Sequence, residues 1–139
     1  MLFLIVALFC SNPTNAASED FFCETIQIIK DGITVDETSI IQWEGIMEKY
    51  TDERNSLKSM LEYLNTFDEA SACNGSQIIA EEDDFCSCIQ TVEEDIQSSE
   101  KNIQGAENFI EKHNTELTKR KSQLQFLNTF DLAQSCEYV

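Results

Sequence analysis

One segment of this 139-residue chain occurs twice. Leu61-Glu62-Tyr63-Leu64-Asn65-Thr66-Phe67-Asp68 returns as Leu124-Gln125-Phe126-Leu127-Asn128-Thr129-Phe130-Asp131, at an offset of 63. The offset holds without a gap between residues 19–73 and 82–136, where 23 of 55 positions are identical. Phe22-Cys23 matches Phe85-Cys86, Ile26-Gln27 matches Ile89-Gln90, and Cys73 matches Cys136. Ungapped identity on this scale marks a duplication, so a fold for one copy must serve the other. Two copies are too few for a solenoid, which needs three or more repeats to bury a continuous core. The linker, residues 74–81, carries the sequon Asn74-Gly75-Ser76 and makes Asn74 a candidate glycosylation site on an exposed loop.

Each copy reads as helix. Apolar residues recur at spacings of three and four: Phe22, Ile26, Ile29 and Ile33, then Ile40, Trp43, Met47 and Tyr50, then Leu57, Leu61 and Leu64. The second copy gives Phe85, Ile89, Val92, Ile96, Ile103, Ala106, Ile110, Leu117, Leu124 and Leu127. This is the stripe of an amphipathic helix. With one Pro and four Gly, the chain also lacks the turn residues of a many-stranded sandwich or barrel. The expected class is all-α.

The connectivity turns on the middle of each copy. Tyr50-Thr51-Asp52-Glu53 and His113-Asn114-Thr115-Glu116 are its most polar stretches, and Thr51 and Asn114 are credible N-caps. A turn at each would make a four-helix bundle of two tandem hairpins, linked by Cys23–Cys73 and Cys86–Cys136. The alternative is an antiparallel pair of long helices, which would pair Cys73 with Cys86 and Cys23 with Cys136. The hairpin bundle is the expectation, because its two disulfides close identical loops.

The N-terminus sets the expected compartment. Residues 2–9, Leu-Phe-Leu-Ile-Val-Ala-Leu-Phe, are an uncharged apolar run, followed by Pro13 and the small residue Ala16. A run this short cannot span a bilayer, which takes about 20 residues. It has the form of a secretory signal cut after Ala16. The mature chain, 17–139, is then a single helical domain, soluble and extracellular, where disulfides persist. Of its five cysteines, Cys23, Cys73, Cys86 and Cys136 form two equivalent pairs. Cys88 is left over, and its counterpart in the first copy is Thr25. It would form an intermolecular disulfide, giving a covalent homodimer, stay a partly buried free thiol, or be an alternative partner for Cys86.

Charge removes whole classes of partner. There are 26 acidic residues against nine basic ones, a formal net charge of −17. Such a surface repels phosphate, which argues against nucleic acid and against an anionic membrane surface. The same field speeds encounter with basic protein surfaces. Lys119-Arg120-Lys121 is the sole basic cluster, read either as a contact patch for an acidic partner or as a solvated helix face. Trp43, which Ala106 replaces in the second copy, is a core filler or an interface anchor.

Chemistry is sparse. The single histidine, His113, has no Cys or Asp at catalytic or zinc-site spacing and is expected to be solvated or at the edge of the core. Glu81-Glu82-Asp83-Asp84 lacks the alternation and central Gly of a calcium loop. No phosphate-binding Gly loop, G-x-S-x-G or H-E-x-x-H occurs. The chain is therefore expected to be a non-enzyme with no cofactor and no metal. The classes left are a binding protein or inhibitor, a carrier of a small hydrophobic ligand, and a structural secreted protein.

In size, acidity, helical character and the framing of two halves by Cys23, Cys73, Cys86 and Cys136, the chain resembles the anophensin and albicin type of mosquito salivary proteins. The resemblance implies a secreted inhibitor of host blood proteins. Its targets would be the alternative-pathway C3 convertase of complement or the proteins of contact-phase activation. No individual functional residue carries over.

Overall fold

A computed structural model describes residues 15–74 and 83–138. Two long helices dominate: α1 (Asn15–Leu64) and α2 (Asp83–Leu127). Each is followed by a short 3₁₀ segment, η1 (Asp68–Asn74) after α1 and η2 (Asp131–Tyr138) after α2. No strand occurs among the described residues, so the class is all-α, as expected. Residues 1–14 of the expected signal and the cysteine Cys10 lie outside the described residues; Asn15 and Ala16 open α1.

The hairpin bundle is not what forms. Helix α1 runs unbroken through Tyr50-Thr51-Asp52-Glu53, and α2 through His113-Asn114-Thr115-Glu116. The disulfides are Cys23–Cys136 and Cys73–Cys86, each with Cα atoms 5.2 Å apart. The pairing Cys23–Cys73 with Cys86–Cys136 is therefore corrected in favour of two long helices. The local reason lies in the hydroxyl of Thr51. It does not cap a new helix but donates back to the Met47 carbonyl at 2.8 Å, a bond that belongs to a helix interior. Thr118 does the same to the carbonyl of Asn114, at 2.8 Å. Polarity in mid-repeat thus marks solvated helix rather than a turn.

The repeated octet has a structural task instead. It ends each helix. Asn65 N–H still donates four residues back, to Leu61, but Thr66 and Phe67 donate three back, to Tyr63 and Leu64, and Ala70 continues to Phe67. Asn128, Thr129, Phe130 and Ala133 repeat the pattern. The hydroxyls of Thr66 and Thr129 each donate to the carbonyl three residues back, at 2.7 Å. Tightening from α to 3₁₀ spacing satisfies terminal carbonyls without a glycine.

The chain divides into two compact units, and each long helix contributes to both. Among the described residues, the first holds 15–39 and 113–138. Its core is Phe22, Ile26, Ile29 and Leu127, with Ile33, Leu124, Ala133 and Cys136 packed against it. Phe22 meets Phe130 edge-on at 6.1 Å. The second unit holds residues 40–112, with Ala70, Ile89, Val92, Ile96 and Ala106 buried. There Phe67 meets Phe85 edge-on at 6.0 Å, and Trp43 stacks on Phe109 at 4.4 Å. Within each unit the two helix segments run antiparallel. In the first, Cys23 joins Cys136 while Glu37 pairs with Lys121; in the second, Cys73 joins Cys86 while Lys58 pairs with Glu100.

Candidate functional site

Two features of the first unit depart from a plain helix pair. One is a polar cluster around a buried carboxylate. Asp36 is 4% exposed, on the same face of α1 as Ile29 and Ile33. Its two carboxylate oxygens divide between two donors from α2. His113 donates from Nδ1 to Oδ1 at 3.0 Å, and Arg120 donates from Nε to Oδ2 at 2.9 Å. His113 and Arg120 are seven residues apart, two turns along one face of α2, so both reach the same carboxylate. The Arg120 guanidinium lies over Gly32, where a Cβ would come within 2.7 Å of Cζ. A side chain at Gly32 would therefore have to displace the Arg120 guanidinium, while the backbone conformation would admit one; Gly32 sits in unbroken helix. A buried carboxylate held by two basic groups is tolerable because both its oxygens are satisfied.

The other feature is a row of uncharged residues on the flank of α1. Phe21, Thr25, Ile28, Gly32, Val35 and Ser39 alternate spacings of four and three, so they lie along one line of the helix. Phe21 is 47% exposed, and Ile28 and Val35 are each 60% exposed. The counterparts in the second copy are Asp84, Cys88, Thr91, Asp95, Ser98 and Asn102, so the apolar row belongs to the first copy alone. Sequence reasoning missed both features. It followed the core stripe and passed over this second line, although its lack of charge in so acidic a chain was a signal. For the cluster, the signal was that Asp36, His113 and Arg120 all differ from their counterparts Ser99, Tyr50 and Leu57. Only the antiparallel pairing brings those three differences together.

The residues singled out from sequence fall as follows. His113 is at the core edge, as expected, but against a carboxylate. Arg120 of the basic cluster turns inward to Asp36, while Lys121 pairs with Glu37 at 2.8 Å and Lys119 with Glu116 at 3.6 Å. Cys88 is a free thiol and exposed. Asn74 closes η1, and the rest of its sequon lies outside the described residues. Trp43 is half-buried against Phe109.

A small hollow of about 230 Å³ in the first unit is lined by Ile26, Lys30, Asn128, Ala133, Gln134 and Cys136. Among the described residues, no group of three or more His, Cys, Asp or Glu could hold a metal ion. Among them, too, no helix is long and apolar enough to cross a membrane. No family model, curated protein or solved structure matches this chain.

Proposed function

We propose that this chain is a secreted, non-enzymatic binding protein that inhibits an extracellular protein, and that the outer row of α1 in the first unit is its docking line. The observation that carries this reading is the exposure of Phe21, Ile28 and Val35 along one line of α1, crossed at Gly32 by the Arg120 guanidinium, in a chain of net charge −17. Large apolar side chains grouped on a helix flank cost solubility, and such patches mark interaction surfaces. Glu24 and Asp31 stand one turn from members of the row and edge it with negative charge. The partner that fits is a protein with an apolar groove rimmed by Lys or Arg, which the field of the whole molecule would steer toward it. The salivary resemblance narrows the proposal to the complement C3 convertase or the contact-phase proteins.

The carrier reading has less support. The hollow near Ile26 falls below the roughly 300–1,000 Å³ of typical ligand sites and is lined in half by Lys30, Asn128 and Gln134.

The test is functional. The purified protein is added to human serum, and alternative-pathway haemolysis and contact-phase clotting are measured side by side. Inhibition of one of them is expected, and Ile28→Glu/Val35→Glu should lose it while keeping the helical circular dichroism. Absence of effect in both assays at saturating protein would overturn the proposed inhibition. Full inhibition by the double variant would overturn the docking line alone.

A further inference from the structure

We infer that the Asp36–His113–Arg120 cluster decides which helix pairs with which. It holds α1 to α2 of the same chain and discriminates against α1 pairing with α1 of a second copy.

The two units share much of their packing. Most of their contacts correspond pair by pair at the offset of 63, the Trp43–Phe109 stack being an exception, since its counterparts are Ala106 and Ile46. Cys23–Cys136 becomes Cys86–Cys73, and Phe22–Phe130 becomes Phe85–Phe67. Glu37–Lys121 becomes Glu100–Lys58. Phe126–Phe130, at 5.3 Å, becomes Tyr63–Phe67, at 5.2 Å. Because the partners are nearly the same residue types in both copies, none of these contacts can tell α2 from a second α1. Two chains pairing α1 with α1 would reproduce them as Cys23–Cys73, Phe22–Phe67 and Glu37–Lys58 between copies. A duplicated sequence thus carries a mispaired alternative almost as good as the native one.

The equivalence fails at the Trp43–Phe109 stack, where Trp43 would meet another apolar residue, Ile46, and it fails at far greater cost at the cluster. In an α1–α1 pair, Asp36 would face Tyr50 and Leu57, the counterparts of His113 and Arg120. Each such pair would bury two carboxylates with no cation beside them, a far worse state than the paired one. In an α2–α2 pair, Arg120 would arrive over Asp95, the counterpart of Gly32, and could be neutralised there. The discrimination therefore rests on Asp36, and its signature is the Cys23–Cys73 bridge between copies. A buried polar group fixing the choice of helix partner is the best-attested use of such groups.

The experiment is oxidative refolding of the full chain, in a Cys10→Ser/Cys88→Ser background that removes the odd thiols. Refolding is run in a glutathione buffer over a range of concentrations, with salt to screen the net charge. Equal amounts of isotope-labelled and unlabelled chain are mixed, so that bridges between copies appear as hybrid disulfide peptides. Two variants are compared with the parent. Asp36→Ser/His113→Tyr/Arg120→Leu gives the first unit the residues of the second. Tyr50→His/Leu57→Arg leaves the native cluster intact and supplies the mispaired Asp36 with a cation.

The parent should refold to monomers bridged Cys23–Cys136 and Cys73–Cys86. In both variants the hybrid Cys23–Cys73 peptide should rise on the order of tenfold, as expected when a buried unpaired charge no longer bars the alternative. A triple variant that fails to fold leaves the decision to the double variant. Parental levels of the hybrid bridge in the double variant would overturn the inference.

Discussion

Removing Arg120 alone would leave the Asp36 carboxylate buried with a single donor, so at the scale of one residue the cluster makes sharp predictions. Arg120→Met should lower the unfolding free energy by about 1–3 kcal/mol, the usual result of leaving a buried group short of one hydrogen-bond partner. Asp36→Ser/Arg120→Met should lose less than Arg120→Met, because the group left stranded is gone. Urea denaturation checks the order, and a double variant no better than the single would refute the account. Gly32 gives a second prediction. In an open helix, Gly→Ala gains up to about 1 kcal/mol. Here the new Cβ meets the Arg120 guanidinium while Asp36 pins it, so Gly32→Ala should destabilise the parent protein. The same substitution should stabilise an Arg120→Met background. The reversal of sign separates close approach from helix propensity.

At the scale of elements, the decisive question is whether the middle of each copy turns. Proline distinguishes the answers. In a turn, Thr51→Pro would be tolerated near an N-cap; inside α1 it removes a backbone bond and clashes with the Met47 carbonyl. A loss of about 3 kcal/mol or more is expected, read as a fall in thermal midpoint by circular dichroism. The all-α class was legible, because the spacing of Phe22, Ile26, Ile29 and Ile33 admits little else. The straight passage through Thr51 was not. Thr and Asn favour caps in general, and only the back-bond from Thr51 to Met47 distinguishes interior from terminus. The repeated Leu-Asn-Thr-Phe-Asp is legible only in part. Its recurrence was plain, but its work as a helix terminator depends on a shift to i−3 bonding that no residue in it announces. The cluster stayed hidden for a different reason. His113 and Asp36 are 77 residues apart, and their meeting depends on the long-helix pairing rather than on the hairpins.

At the scale of the whole molecule, the sequence places each bridge in a very different loop. Cys23–Cys136 spans 113 residues and Cys73–Cys86 spans 13. In the hairpin arrangement the two would have closed equal loops and contributed equally. The chain-entropy treatment gives roughly 5 kcal/mol for the long loop and roughly 3 for the short one, through restriction of the unfolded chain. Each unit keeps its own aromatic edge contact and ion pair, so the native packing lost with either bridge is alike, and the difference lies in the unfolded state. Cys23→Ser/Cys136→Ser should therefore lose about 2 kcal/mol more stability than Cys73→Ser/Cys86→Ser. Guanidinium unfolding of the two variants measures it. The denaturant slope should also rise more for the long-loop variant, since its unfolded chain exposes more surface. Equal losses would mean that the restriction acts through native contacts near each bridge instead.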